Sequence, residues 1–542
     1  MKVLVEYFRP ESRSYLAAAL AGVLGSALLV AMAWRLLGHI PMYDELVHYL
    51  AARSVRDHGE PMIADGYYNR AELFTWIVAG AIMSLGDTLA AARIPSLVGS
   101  VGLVMLVTVW TARRAGLLAG AFAALVLCLL PATVDLAVFL RFYTLHALLI
   151  FAISIAFFEA VAPERSMRQR VVLAALGAAA SPLAVHFQLT SLIALLAIAA
   201  GIGAVLLLEH WARVAAFVKR HPAWTAAGTL LAVVLLAVVI LVFLQRLRKV
   251  PLWAAWAAHR PQYYLVEFAH DTPLLWPLLP AAAIVALAAH RRVTVFCVAA
   301  LLAALTVHSL AAAKSGRYVY YALPWLCVVW GCALSGLYAF ARRLETESAF
   351  LQSGTAPRGT ASSPRGMAAW LGGKAPALVL LAAALVLMLS QEGQRAARLA
   401  LGRNATELTL HYAGESGWDS AVPVLQPLVQ SADRVVTTNS MKALYYFGRY
   451  DYELNASSVR ETETGEEFGL DERTGRLAIG TAQSTAAVLD MAGKTLIILE
   501  EEKLGNPVGA PADAVEVIAA RCAPIAVPAA AGVRAWSCPT GG

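Results

Sequence analysis

Charged residues are scarce in this sequence. Of its 542 residues, 15% are Asp, Glu, Lys or Arg and 59% are hydrophobic, where a water-soluble domain carries about 25% charged residues. The shortage is uneven. Residues 1–390 hold long apolar runs, and residues 391–542 return to a mixed composition. That shift predicts a membrane domain over 1–390 and a soluble domain over 391–542. Cysteine is also sparse, at six residues. Cys128, Cys297, Cys327 and Cys332 fall in apolar runs and read as small packing residues. Cys522 and Cys538 lie in the soluble tail, where an oxidising compartment favours a disulfide between them. No C-x2-C or H-E-x-x-H spacing offers a metal site, and the tail holds neither a Gly-rich phosphate loop nor a nucleophile constellation. No internal repeat is visible, which counts against a transporter or lipid flippase. The net charge of +7 would suggest nucleic acid only if the basic residues shared a soluble face. They sit instead in short clusters between apolar runs, so nucleic acid is excluded as a partner.

Those clusters set the topology. A span needs about 20 apolar residues, and cytoplasmic loops collect Lys and Arg. The inside clusters are Lys2/Arg9/Arg13, Arg113/Arg114, Arg165/Arg168/Arg170, Arg213/Lys219/Arg220, Arg291/Arg292 and Arg342/Arg343. Two crossings between successive clusters give about eleven spans. They are predicted near 15–38, 94–112, 115–133, 146–161, 171–185, 188–208, 223–244, 273–289, 293–312, 319–341 and 374–390. The first run, Tyr15 to Leu37, is too long for a signal-peptide core and lacks an A-x-A cleavage site, so it reads as an uncleaved anchor. Leu73 to Leu85, only about 13 residues, is placed flat on the outer surface after an amphipathic segment at 45–57. The Pro/Gly/Ser-rich stretch 351–373 is a linker. The N-terminus is then cytoplasmic and the C-terminal domain extracytoplasmic.

This topology puts the polar residues of the membrane half on one leaflet. Asp44-Glu45 follows the first span, with His48 one helical turn on. By themselves the acids fit either the first turn of a helix or a working site. Tyr67-Tyr68-Asn69-Arg70, Ala92-Arg93-Ile94-Pro95, Arg141-Phe142-Tyr143-Thr144-Leu145-His146, His186 and Lys314-Ser315-Gly316-Arg317-Tyr318 lie on the same side. Arg and Lys there suit a phosphate, Arg by paired hydrogen bonds and Lys as a point charge. Ionisable residues converging from distant spans mark a functional site.

The order of these motifs resembles the GT-C superfamily of membrane glycosyltransferases, in particular its protein O-mannosyltransferase and aminoarabinose transferase group (families 39 and 83). The matching features are the acidic pair after the first span, a basic position before the interfacial stretch with Trp76, and A-R-x-P-S at 92–96. Further along come R-x-Y-x-L-H-x-L at 141–148, His186-Phe187, and K-x-x-R-Y at 314–318 with L-P at 323–324. The resemblance implies a polytopic α-helical fold with interfacial helices and a small C-terminal α/β periplasmic domain, in a bacterial inner membrane. It implies transfer of a sugar from a polyprenyl-phosphate donor to a glycolipid, polysaccharide or protein acceptor. Asp44 would be the general base and Glu45 would orient the acceptor or its partner. Arg70, Arg93, Lys314, Arg317 and Tyr318 would hold the donor phosphate, and His48, Tyr68, Arg141, Tyr143, His146 and His186 would complete the site. Many relatives carry a second acid where this chain has His146, so Asp135 or Asp65 is a candidate substitute. No cofactor is required by these motifs, and participation of a divalent metal is left open. The competing classes are a lipid or sugar transporter, and a non-enzymatic assembly or sensor protein.

In the tail, Asp433–Thr438 and Gly493–Leu499 read as strands and Ser440–Gly448 as a helix. Val515–Ala520 and Val533–Ser537 read as further strands. Glu500-Glu501-Glu502 reads as a solvated charged end. Tyr445, Tyr446, Tyr450 and Tyr452 read as core packing rather than sugar stacking. The sequons at Asn404 and Asn455 carry little weight.

Overall fold

The computed structural model describes residues 12–223, 225–228, 230, 234, 260–311, 313–353, 374–402, 417–460, 468–506 and 509–539. Among the described residues seven helices are long and apolar enough to cross a membrane: Leu16–Leu36, Leu89–Ala115, Tyr143–Ala160, Met167–Phe187, Ser191–Arg220, Arg291–Leu310 and Tyr320–Thr346. Two bent pairs, Leu117–Leu129 with Pro131–Ala137 and Ala375–Leu389 with Gln391–Ala400, bring the number to nine if each is one span. The predicted span at 273–289 is the shorter apolar helix Leu279–Ala289. That at 223–244 lies mostly outside the described residues, as do most of the 351–373 linker, Lys2, Arg9 and Asn404.

The first span shows how sequence becomes packing. Leu16, Leu20 and Leu24, spaced by four, are 64%, 55% and 71% exposed, whereas Ala18, Leu29, Met32 and Ala33 are buried. One stripe faces lipid and the other faces helices. At one end of the bundle Glu159 is buried between Arg114 and Arg165, and Glu164 also bonds Arg114. Arg292 reaches Glu209 at 3.1 Å. Arg114, Arg165 and Arg292, from three of the basic clusters predicted to share a side, therefore meet at one end. Asp44, Arg141 and Arg317 meet elsewhere in the bundle, drawn from residues that the charge pattern put on the opposite side. A groove of about 1200 Å³ between Met167–Phe187 and Ser191–Arg220 is lined mostly by apolar residues and by none of the predicted site residues.

Two short helices lie between the first spans. Tyr43–His58 carries both acids in its first turn and ends on Gly59 in the left-handed region, which suits a residue without Cβ. Glu72–Leu85 is the predicted interfacial segment. A two-stranded hairpin joins them, β1 Met62–Ile63 and β2 Gly66–Tyr67.

The C-terminal region is built on a seven-stranded sheet. Its strands are β3 Arg434–Thr437, β4 Tyr452–Leu454, β5 Phe468–Asp471, β6 Arg476–Ile479, β7 Thr495–Glu500, β8 Ala523–Ile525 and β9 Val533–Cys538. They lie in the order β5-β6-β4-β3-β7-β9-β8, with β6, β4, β3 and β7 parallel. β7 is buried throughout. Leu496 and Ile498 pack with Trp418, Leu425 and Phe447 on one face, and Ile497 and Leu499 with Val488, Ile518 and Trp536 on the other. A central parallel strand covered on both faces reads as an unbroken apolar run. Two tail assignments are corrected. Val515–Ala520 belongs to the helix Ala512–Arg521, with Asp513 in its first turn and Arg521 in its last, a charge order that suits the helix dipole. Glu500 is buried, held by Lys442 at 2.8 Å and Lys503 at 3.0 Å. Tyr450 is buried, and Tyr446 stacks on Trp418.

Cys522 and Cys538 form a disulfide 16 residues apart in sequence, and the four remaining cysteines are buried and free. Closing a loop of that size contributes about 3 kcal/mol in the chain-entropy account. Cys522→Ser is expected to speed amide exchange in β7 and β9 by the corresponding factor of about 10². Unchanged exchange would show that the bond adds no stability.

Candidate active site

Three breaks in the helical pattern bring the site together. The Tyr43–His58 helix starts on Met42, whose backbone N–H donates to Glu45 Oε2 at 3.0 Å. Arg141 sits in the gap between Pro131–Ala137 and Tyr143–Ala160. The 3-10 turn Gly316–Tyr318 presents Arg317 and Tyr318.

Asp44 and Glu45 are adjacent, yet they point into different environments. Glu45 is fully buried with Arg93. Arg93 Nε donates to Oε1 at 2.8 Å and Nη2 to Oε2 at 2.6 Å, and Nη1 donates to the carbonyls of Leu37 and His39, both at 2.8 Å. Glu45 Oε1 also accepts from the Leu140 backbone N–H at 2.8 Å. Thr88 caps the Leu89–Ala115 helix through the Ala91 N–H and so fixes the turn from which Arg93 reaches back. The sequence reading gave Glu45 to the acceptor and Arg93 to the donor phosphate. The structure instead makes them a sealed strut joining the first span, the Tyr43–His58 helix and the Leu140 turn.

Asp44 is partly open, with 31% of its side chain exposed. Its Oδ2 accepts from Arg317 Nη1 at 2.6 Å, and Arg141 Nη1 donates to its backbone carbonyl at 3.1 Å and lies 3.9 Å from Oδ1. Burial by itself would raise the carboxyl, but the fields of Arg141 and Arg317 outweigh it and hold Asp44 well below the usual carboxylate range. Arg317 lies over the rings of Tyr143 and Tyr318, and Arg141 over Phe142 and Tyr143. The Nε atoms of Arg141 and Arg317 are buried without a hydrogen-bond partner among the described residues. Each guanidinium thus keeps donor capacity beyond Asp44.

The other expected residues divide. Tyr143 and Tyr318 join this centre, their ring centroids 6.4 Å apart. Arg70 is exposed, just before Ala71, whose φ of +48° is left-handed for a residue with a Cβ. Its charge acts on Tyr68. His48, a turn on from Asp44, is buried with Nδ1 against Thr75 Oγ1 at 3.1 Å and Nε2 against Tyr68 at 3.4 Å. Burial first, and then Arg141, push its pKa well down, which favours the neutral imidazole. His146 bonds Ser191 at 2.7 Å, away from Asp44, and His186 accepts the Leu73 N–H at 3.3 Å. Lys314 is buried and donates to the Ala311 carbonyl at 2.5 Å. The candidate second acids are both engaged, Asp135 by Arg395 at 2.9 Å and Asp65 by Arg476 at 3.0 Å. Among the described residues no three His, Cys, Asp or Glu side chains are placed to hold a metal.

This arrangement can be compared with solved structures. ArnT from Cupriavidus metallidurans superposes with a TM-score of 0.57 in the apo state and 0.56 bound to undecaprenyl phosphate, covering 95% of this chain and 97% of that one. The chain shares the fold of ArnT. An oligosaccharyltransferase from Archaeoglobus fulgidus, in complex with Zn and sulfate, shows the same likeness at a TM-score of 0.50, over 93% of this chain and 71% of that one. Sequence identity is 15% to ArnT and 11% to the oligosaccharyltransferase. No protein-family model matches the chain, nor does any curated protein sequence. The likeness is therefore one of fold, at low sequence identity.

One group of residues around Asp44 was missed by sequence reasoning. Arg473, in the turn between β5 and β6, donates from Nη1 to the Tyr43 hydroxyl at 2.9 Å and lies over the Tyr43 ring at 5.5 Å. Lys503 Nζ is 5.9 Å from the same ring. The turn itself was legible from Gly475, but nothing local says what it touches.

Proposed function

We propose that this chain is an extracytoplasmic-face glycosyltransferase of a bacterial inner membrane, moving a sugar from a polyprenyl-phosphate donor to an acceptor on a glycolipid, polysaccharide or protein. The observation that carries the reading is the Asp44–Arg317 ion pair with Arg141 beside it, an acid and two guanidiniums in one partly open site of the GT-C fold. The disulfide supports an oxidising compartment for the C-terminal region, and hence a cytoplasmic N-terminus and a membrane unit over 1–390 with a soluble unit over 391–542.

The chemistry follows from the charges. Breaking the bond between anomeric carbon and phosphate leaves the phosphate with extra negative charge, which preplaced cations stabilise. Arg317 and Arg141 supply it, with Tyr143 and Tyr318 excluding water beside them. While Arg317 grips Asp44, the carboxylate is a weak base. When the donor phosphate draws Arg317 away, the proton affinity of Asp44 rises toward what deprotonation of an acceptor hydroxyl requires. Donor binding thereby primes the base. A reading as a transporter lacks this logic, since its charges belong near the bilayer midplane.

The test is transfer from synthetic polyprenyl-phosphate sugars by the purified chain in detergent or proteoliposomes. Arg317→Ala is expected to lower kcat about 10²–10³-fold, as loss of one charge-stabilising donor does. Absence of transfer by the wild-type chain from any such donor, to any glycolipid, polysaccharide or protein offered, overturns the class.

A further inference from the structure

We infer that Arg473 of the sheet-bearing region is a positioning residue for Asp44, so that the soluble region forms part of the transferase site. This rests on the reading of Asp44 given above. Tyr43 is the first residue of the helix whose second residue is Asp44. Its hydroxyl accepts from Arg473, and its ring lies beneath the charges of Arg473 and Lys503. The direction in which Asp44 leaves the helix is therefore set from two sides, by Arg317 on the carboxylate and by Arg473 on the preceding side chain. Arg473 also acts on Asp44 through its field, in the same sense as Arg141 and Arg317.

The turn that carries Arg473 is itself held in place. The Asp65 N–H donates to the Thr474 carbonyl at 2.9 Å, and Arg476 pairs with Asp65 at 3.0 Å. Gly66 lies too close to the Arg473 backbone for any side chain, and Gly475, at φ +68°, abuts the Asp65 backbone. Ala64, at the tip of the β1–β2 hairpin, has a φ of +52°, a strained state for a residue with a Cβ that persists where its surroundings over-determine it. Asp471 holds the turn from within, accepting the Arg473 N–H at 3.1 Å and the Thr474 hydroxyl at 2.9 Å. Behind Tyr43, Ser440 and Glu453 are both buried. Glu453 faces Asp471, Lys503, Asn455 and Ser440. Such a network has no evident purpose in a passive cap.

Two measurements test this. In transfer assays, Arg473→Ala is expected to lower kcat about 10²-fold, the effect of misplacing a reacting group, with KM for the lipid donor nearly unchanged. Arg473→Lys should recover part of the loss. Because a cation that lowers the Asp44 pKa is gone, the acid limb of the alanine variant's pH–rate profile should move to higher pH. A purely structural contact would leave that limb in place. In hydrogen exchange, which needs no activity, amides 43–48 should lose protection in Arg473→Ala and in Tyr43→Phe while the β3 and β7 amides keep theirs. Wild-type kcat and an unmoved acid limb in Arg473→Ala, or unchanged protection at 43–48, would overturn the inference. Failure of the wild-type chain to transfer sugar would instead sink the glycosyltransferase reading, and the exchange result would still judge the contact.

Discussion

Asp44→Asn is expected to reduce sugar transfer about 10²–10⁴-fold, the range attached to a positioned general base, without loss of the folded protein. The amide keeps the shape and still accepts from Arg317, and the site is partly open, so little structural energy is at stake. The substitution also removes the anion that competes with the donor phosphate for Arg317. KM for the donor should therefore stay level or fall while kcat collapses. A passive Asp44 would give unchanged kcat, and that outcome would remove it as the base. The pH dependence adds a second signature. In the free enzyme Asp44 is held ionised by Arg141 and Arg317 against the opposing effect of burial, so kcat/KM should show no Asp44 limb near neutrality. In the donor complex Arg317 is shared with phosphate and the acid limb of kcat moves up. For stability the sign is that of any depressed carboxylate: the contribution is present above the unfolded pKa and disappears only as pH falls through the folded value.

The second large effect belongs to the neighbour. Arg93→Met leaves Glu45 buried with two backbone donors and no cation, a change that costs about 3–5 kcal/mol. Much of the stability of an ordinary domain would go with it. Loss of monodisperse protein and a lowered unfolding temperature in detergent are the expected readouts. The same-sized Glu45→Gln should do nearly as much harm, because Arg93 is then the unpaired buried charge. Arg93→Lys cannot reproduce two bonds to the carboxylate together with bonds to the Leu37 and His39 carbonyls, and should fall in between. A phosphate-binding Arg93 would behave differently, with normal stability and a raised KM for donor. Measured stability near wild type in Arg93→Met would return Arg93 to the donor site.

What the sequence revealed and concealed follows from the range of each interaction. The spans were legible because lipid contact is written into continuous runs such as Leu16 to Leu36, and the interfacial helix because Leu73 to Leu85 is too short to cross. Asp44, Arg141, Arg317, Tyr143 and Tyr318 could be nominated from one leaflet and one motif order. The separate fates of Asp44 and Glu45 could not. Adjacent residues on a helix point about 100° apart, and only the Leu89–Ala115 helix decides that Glu45 meets Arg93. His48, His146 and His186 looked like site residues because polar groups are costly in apolar surroundings, yet Thr75, Ser191 and the Leu73 N–H answer that cost locally. Glu500 was misread for the same reason in reverse. Its run of acids suggested water, while Lys442 and Lys503 wait on other elements. Arg473 was invisible, lying 430 residues from its partner.

That separation has a meaning for biosynthesis. Asp44 is translated long before Arg473, so on the inference drawn above the helix bearing the acid is held in register only once the C-terminal sheet has folded and docked. A half-made chain already inserted in the membrane would carry the acid and the arginines unaligned. On the proposed reading, transfer activity would then report that the sheet-bearing region has folded against the helix that carries the acid.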